Sequence, residues 1–174
     1  RMTKLLYENN IFIDKPTCAA ASLSFSSIAI CDNDCGVTVL NLFTGKPRFA
    51  FKLQSKASFV VITNSWGFIV CAIEVKNRTI ISVFTINGRQ LRESTVPFRI
   101  TAMSAFESCD GFDFIIASDD SGHVFVFEAF DLTIGEPHST YNCNISSVGY
   151  CQSARSLVVV TENGTVFVES CNPR

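Results

Sequence analysis

The chain has 174 residues, enough for one domain or part of one, and 47% of them are hydrophobic. Its formal net charge is −2 and no lysine and arginine cluster is present, which argues against a nucleic-acid-binding surface. The longest apolar stretches, such as Gly67 to Ile73, are strand-sized and shorter than the roughly 18 residues that span a bilayer, so we expect no direct membrane insertion.

The predicted strands fall into four repeats, preceded by a short leftover. The stretches 4–7 and 11–13 predict one or two outer strands that complete a preceding repeat. The predicted boundaries are 1–16 for this leftover, 17–56, 57–98 and 99–144 for three complete repeats, and 145–174 for an incomplete one.

Each complete repeat reads as four short strands separated by polar turns. The first repeat opens on small residues such as Ala19-Ala20-Ala21, which suit a crowded innermost strand. In the second repeat, Asn87-Gly88 is the strongest hairpin signal of the chain. In the third, the turn Asp119-Asp120-Ser121-Gly122 separates two apolar strands. No useful stretch has helical periodicity, so we predict an all-β fold of antiparallel meanders.

A pair of β-branched residues, two positions apart, recurs in the third strand of every repeat. The pairs are Val37/Val39, Ile81/Val83, Val124/Val126 and Val166/Val168. Their first members are separated by 44, 43 and 42 residues. A period of about 40–45 residues with four strands per unit is typical of WD-type β-propeller blades. We therefore predict a propeller fragment of about four blades, each a four-stranded antiparallel sheet, in an open arc of a seven-bladed ring. A closed four-bladed ring, in which the leftover strand completes the last blade, is the alternative.

The ends of the repeats resemble the V-W-D-x-x-T-G ending of WD40 repeats, as in Val39 to Lys46 and Val83 to Arg89. A narrower resemblance covers Ser82 to Leu132, which is similar to the C-terminal WD repeats of BEACH-domain proteins of the beige, neurobeachin and Lyst-like group. It consists of an I-N-G hairpin, an I-T-A-M inner strand, an S-x-D-G turn and a D-x-G-x-V strand, in that order.

This resemblance implies a scaffold protein that acts in vesicle trafficking and membrane dynamics. It also implies a cytoplasmic location, peripheral on membranes through other domains, and a larger polypeptide upstream of the present sequence.

No sequence pattern indicates a catalytic, cofactor-binding or metal-binding site. Nucleophile elbows, phosphate-binding loops and zinc-protease motifs are missing from the sequence. We interpret Asp119-Asp120 as a polar turn rather than a metal site, and Asp113 in the same way. We therefore predict a non-enzymatic scaffold that binds protein partners. A propeller enzyme is the alternative, and it would require polar residues that converge at the central channel.

The eight cysteines lie mostly inside apolar stretches and form no C-x-x-C pair, which favours reduced thiols that pack as small hydrophobic side chains. A secreted, disulfide-linked β-domain is the alternative. Three N-x-S/T triplets, at Asn77, Asn144 and Asn163, keep that alternative open.

Four residues are predicted to contact partners because they stand in loops with aromatic or cationic side chains. Trp66 is the only tryptophan and lies in a turn, and an exposed aromatic residue in a loop can anchor a partner. Phe98, Arg99 and Tyr141 lie in loops that join one repeat to the next.

Overall fold

The computed structural model describes Glu8 and residues 13–173, which contain fifteen strands and no helix. The all-β prediction is therefore confirmed. The outer strands predicted at 4–7 and 11–13 fall, apart from Ile13, outside the described residues. Within the described part of the chain, no helix is long and apolar enough to cross a membrane.

The strands form four separate sheets in chain order. The first sheet consists of β1 (Pro16–Ser22), β2 (Ser27–Asp32), β3 (Gly36–Asn41) and β4 (Pro47–Lys52). The second consists of β5 (Ala57–Ile62), β6 (Ile69–Val75), β7 (Arg78–Phe84) and β8 (Gln90–Val96). The third consists of β9 (Ile100–Glu107), β10 (Asp113–Asp119), β11 (His123–Glu128) and β12 (Ser139–Thr140). The fourth consists of β13 (Ile145–Cys151), β14 (Ser156–Thr161) and β15 (Val166–Ser170).

Every sheet is an antiparallel meander in which each strand pairs with the next one along the chain. Side chains of the turns hold these hairpins in register. Asp32 Oδ1, for example, accepts hydrogen bonds from the amides of Asp34 (2.9 Å) and Gly36 (2.8 Å). The third sheet departs from the predicted pattern, because its outer strand β12 has only two residues. The long polar loop that contains Pro137 replaces the rest of that strand.

The four sheets form an open arc around their first strands. β1 contacts β5, β5 contacts β9, and β9 contacts β13. Three apolar clusters fill the spaces between successive sheets, and their largest fully buried members include Val39, Ile81 and Ile116. Burial of these side chains supplies the main favourable free energy of folding, at about 25 cal/mol per Å² of apolar surface. The described residues thus stack as neighbouring blades that cover each other's faces.

All eight cysteines are free thiols. Cys18 and Cys31 face each other across β1 and β2, at the first interface between sheets. A hydrogen bond with Cys31, together with burial, raises the pKa of the Cys18 thiol far above its ordinary value. This thiol is protonated at neutral pH and lacks the thiolate character of a reactive cysteine. Its environment therefore agrees with the packing role predicted for the cysteines.

Gly122 lies in the turn between β10 and β11, and its backbone packs closely against the loop that follows β12. Gly122 has φ of +83°, and a Cβ there would lie 2.3 Å from the carbonyl oxygen of Tyr141. Gly164 is a matched control, because its φ is +84° and no atom lies within 4 Å of the position that a Cβ would take there.

We expect Gly164→Ala to lower the free energy of unfolding by about 1 kcal/mol from backbone strain alone. Gly122→Ala should cost about 2 kcal/mol more, because the clash involves backbone. Urea denaturation of both variants measures the difference, and equal losses would contradict the close packing of Gly122.

Candidate functional site

The loops of the arc divide into two groups, because antiparallel strands bring alternate turns to opposite ends of a sheet. One group joins the first strand to the second and the third to the fourth in each sheet; we call it the aromatic end. It comprises loops 23–26, 42–46, 63–68, 85–89, 108–112, 129–138 and 152–155. The other group, which we call the polar end, joins the second strand to the third in each sheet and the last strand of one sheet to the first strand of the next. It comprises loops 33–35, 53–56, 76–77, 97–99, 120–122, 141–144 and 162–165.

Large exposed apolar side chains lie in the loops of only one of these ends. Those in the loops of the aromatic end are Leu23, Phe43, Trp66, Phe112 and Phe130. Among the described residues, the loops of the polar end expose none, and the other exposed large apolar residues lie on strands. A contiguous apolar patch on a protein surface marks an interaction site more often than scattered apolar residues do. The aromatic end is therefore the candidate binding surface.

The centre of this surface is a cluster of four aromatic rings, Trp66, Phe68, Phe112 and Phe130, which we call the aromatic cluster. Its exposed members are Trp66 (67%), Phe112 (49%) and Phe130 (48%). The ring of Phe68 lies 6.4 Å from that of Trp66 and 6.1 Å from that of Phe130, measured between ring centroids. These side chains, with Asp113 and Glu128, line a cavity of about 390 Å³. Such a volume falls within the range of ligand pockets.

A buried carboxylate from the third sheet holds the Trp66 loop of the second sheet. Asp113 is only 3% exposed. Its Oδ1 accepts hydrogen bonds from the amides of Asn64 (3.1 Å) and Ser65 (2.9 Å), and its Oδ2 accepts one from the amide of Trp66 (2.9 Å). Hydrogen bonds to a charged acceptor are stronger than neutral ones. The backbone of Trp66 is therefore fixed before any partner arrives, which lowers the entropic cost of binding.

The same loop is closed by contacts inside and beside the second sheet. The hydroxyl oxygen of Thr63 accepts a hydrogen bond from the amide of Phe68 (2.9 Å). Gly67 has φ of +67°, and a Cβ there would lie 2.7 Å from the ring of Phe25 in the first sheet. Phe25 therefore covers the backbone of Gly67. The candidate surface thus continues from the first sheet through the second to the third.

The four contact residues predicted from the sequence lie at opposite ends of the arc. Trp66 belongs to the aromatic end, whereas Phe98, Arg99 and Tyr141 belong to the polar end. The ring of Phe98 is half-buried and stacks on Phe125 at 4.8 Å. The structure therefore does not bring these residues together into one site.

At the polar end, Arg99 is accessible to a partner whereas Tyr141 is buried. Arg99 is exposed, and its Nε lies 3.3 Å from a carboxylate oxygen of Glu74. Tyr141 is buried against Phe167, and burial raises its pKa to about 12. A partner could reach Tyr141 only after its loop moved. The contact roles of Phe98, Arg99 and Tyr141 stay predictions.

Five residues of the candidate site were not predicted from the sequence: Phe68, Phe112, Asp113, Glu128 and Phe130. A signal for Phe112 exists in the sequence, because Trp66-Gly67-Phe68 and Gly111-Phe112 stand in the same loop of successive repeats. No local signal marks Asp113, because its partners lie 47 to 49 positions away in the sequence.

The acidic turn at Asp119 is a structural feature of the third sheet. The Asp119 carboxylate accepts hydrogen bonds from the amides of Ser121 (2.9 Å) and His123 (2.8 Å), and it lies 2.8 Å from His123 Nδ1. These bonds fit the interpretation of Asp119-Asp120 as a polar turn. Across residues 13–173, no group of three or more histidine, cysteine and acidic residues is arranged to hold a metal ion.

Comparison with known proteins supports the fold. No protein-family model and no curated protein matches the sequence. Among solved structures, the chain is similar to the computationally designed Ika4 protein, with a TM-score of 0.72 and 16% identity over 98% of this chain and 100% of that one. It is similar to the RRP9 WD40 repeats, with a TM-score of 0.72 and 14% identity over 95% of this chain and 50% of that one.

A third similar structure is BBS1N, which was solved in complex with ARL6DN. Its TM-score is 0.68, with 16% identity over 85% of this chain and 46% of that one. The chain therefore spans about half the length of the RRP9 and BBS1N chains. At these identities the similarity shows the fold alone: within residues 13–173, the four sheets form an unclosed arc of WD40-type propeller blades.

Proposed function

We propose that this chain is part of a non-enzymatic scaffold that binds protein partners through its aromatic end. The observation that carries the proposal is the aromatic cluster, in which exposed rings line a cavity and a buried carboxylate fixes the central loop. Preformed, mainly apolar surfaces with a few polar groups are the usual sites of recognition on rigid folds. The WD40 repeats of RRP9 and the BBS1N–ARL6DN complex support a role in protein interaction by analogy of fold.

The proposed setting is vesicle trafficking in the cytoplasm, as part of a larger BEACH-like polypeptide that reaches membranes through other domains. The resemblance of Ser82 to Leu132 to the repeats of BEACH-domain proteins supports this setting. Determination of the coding sequence upstream of Arg1 tests it. A BEACH module there would support the proposal, and an uninterrupted coding sequence that encodes no such module would contradict it.

The binding role is tested by comparing partners recovered with variants of one tagged chain. Trp66→Ala removes the most exposed ring of the aromatic cluster, whereas Phe49→Ala removes an exposed ring from β4, outside the cluster. We expect Trp66→Ala to weaken partner binding about 30-fold, which is the loss of about 2 kcal/mol typical of an interface hot spot. Phe49→Ala should bind as the unmodified chain does.

The measurement is quantitative recovery of cross-linked partners from cell extract, followed by titration with the purified partner. Circular dichroism confirms that both variants are folded. Partners that bind Trp66→Ala and the unmodified chain equally would contradict the assignment of the aromatic end as the binding surface.

A further inference from the structure

The cavity of the aromatic cluster has a negative lining. Its polar lining residues are Asp113 and Glu128, and no lysine or arginine in the described part of the chain lines it. The Asp113 carboxylate is occupied by three backbone amides. Glu128 is half-buried, and among the described residues it forms no ion pair. The Glu128 carboxylate therefore lies at a mainly apolar cavity, and no lysine or arginine of residues 13–173 forms an ion pair with it.

The aromatic rings add a second preference for positive charge. The faces of aromatic rings are negative and attract cations within about 6 Å of the ring centroid. The chain itself provides an example, because the guanidinium carbon of Arg92 lies 5.1 Å from the ring centroid of Phe130. Arg92 does not line the cavity. Hydrogen bonds from Thr133 and, after them, the charge of Arg92 lower the pKa of Asp131, so an acidic side chain lies near this guanidinium.

We propose that the cavity binds an arginine side chain presented by the protein partner, a proposal that rests on the binding role of the aromatic end. In this arrangement the guanidinium stacks on the rings of Trp66 or Phe112 and donates hydrogen bonds to Glu128. Charge complementarity supports this occupant, because the described residues that line the cavity include two carboxylates and no cation.

Arginine fits this cavity better than lysine does. A guanidinium is planar and weakly hydrated, so it can stack on a ring while its edge pairs with a carboxylate. A lysine ammonium is strongly hydrated and requires more acceptors than Glu128 provides in a mainly apolar cavity. The structure therefore predicts discrimination between two side chains of equal charge.

Trp66 provides a direct probe of this cavity, because it is the only tryptophan of the chain and lines the cavity. The experiment titrates the full chain with the capped peptide Gly-Ser-Gly-Arg-Gly-Ser-Gly and records tryptophan fluorescence. Two matched peptides replace arginine with lysine or with neutral citrulline. We expect a saturable change with the arginine peptide, a Kd about fivefold higher with lysine, and a Kd at least about tenfold higher with citrulline.

Two charge-matched variants test the role of Glu128. Glu128→Gln should raise the Kd of the arginine peptide about tenfold, whereas Glu162→Gln, at the polar end, should leave it unchanged. Equal Kd values for arginine and citrulline peptides, or an unchanged Kd in Glu128→Gln, would overturn the proposal. Saturation by free choline but not by the arginine peptide would overturn it as well.

Failure of this inference can be distinguished from failure of the binding role. If partner recovery depends on Trp66 but the arginine peptide does not bind, the aromatic end is a binding surface and its occupant is not arginine. If Trp66→Ala leaves partner recovery unchanged and the arginine peptide does not bind the unmodified chain, both proposals fail together.

Discussion

Replacement of Asp113 with alanine should lower the free energy of unfolding by about 3 kcal/mol. The substitution leaves the amides of Asn64, Ser65 and Trp66 without their acceptor, and because these amides are only partly buried, each lost hydrogen bond costs about 1 kcal/mol. Urea denaturation, followed by circular dichroism, measures the loss. Trp66 fluorescence should change as well, because the loop that holds the indole is released.

Two variants make this expectation specific. Asp113→Asn keeps one carbonyl oxygen that can accept hydrogen bonds, so its loss should be about half as large. Asp110→Ala removes an exposed carboxylate from the preceding loop and should change stability by less than about 0.5 kcal/mol. If Asp113→Ala were as stable as Asp110→Ala, the carboxylate would not be the anchor of the Trp66 loop.

Replacement of Ile116 with alanine should lower the free energy of unfolding by about 3–4 kcal/mol. Ile116 is fully buried on β10, in the apolar cluster between the third and fourth sheets. Truncation of a buried isoleucine removes its transfer free energy and leaves a cavity, which together cost about 2–5 kcal/mol. Ile116→Val removes only one methylene and should lower the free energy of unfolding by about 1 kcal/mol. Thermal unfolding should rank the unmodified chain as most stable, then Ile116→Val, then Ile116→Ala.

The control for Ile116 is a residue of similar chemistry in the same pair of sheets. Val168 lies on β15 and is largely exposed, so Val168→Ala should cost less than about 0.5 kcal/mol. A loss below about 1 kcal/mol for Ile116→Ala would mean that the third and fourth sheets do not share a core.

The fold was predictable from the sequence to a large extent. The spacing of the β-branched pairs predicted four repeated sheets, and the turn residues predicted antiparallel meanders. Both signals are local, because alternation and turn chemistry depend on residues within a few positions of each other. The two-residue strand β12 is the exception, since the predicted outer strand there was longer.

The candidate site was predictable only at Trp66. Phe98 and Tyr141 are aromatic loop residues like Trp66, yet one is half-buried and stacks on Phe125 while the other is buried against Phe167. Composition and loop position could not separate these cases. The separation arises from which neighbouring sheet covers each ring.

The sequence by itself determined the repeat, the strand order within each sheet and the hairpin turns, because these follow from interactions between residues close in the chain. Only the tertiary structure decided which apolar residues are covered: Val124 is fully buried, whereas Val166, the matching residue of the last repeat, is exposed. It also decided that Asp113 holds the loop of another sheet while nearby Asp110 faces solvent. Burial and cross-sheet hydrogen bonds depend on neighbours tens of residues away, and their positions are set by the stacking of whole sheets.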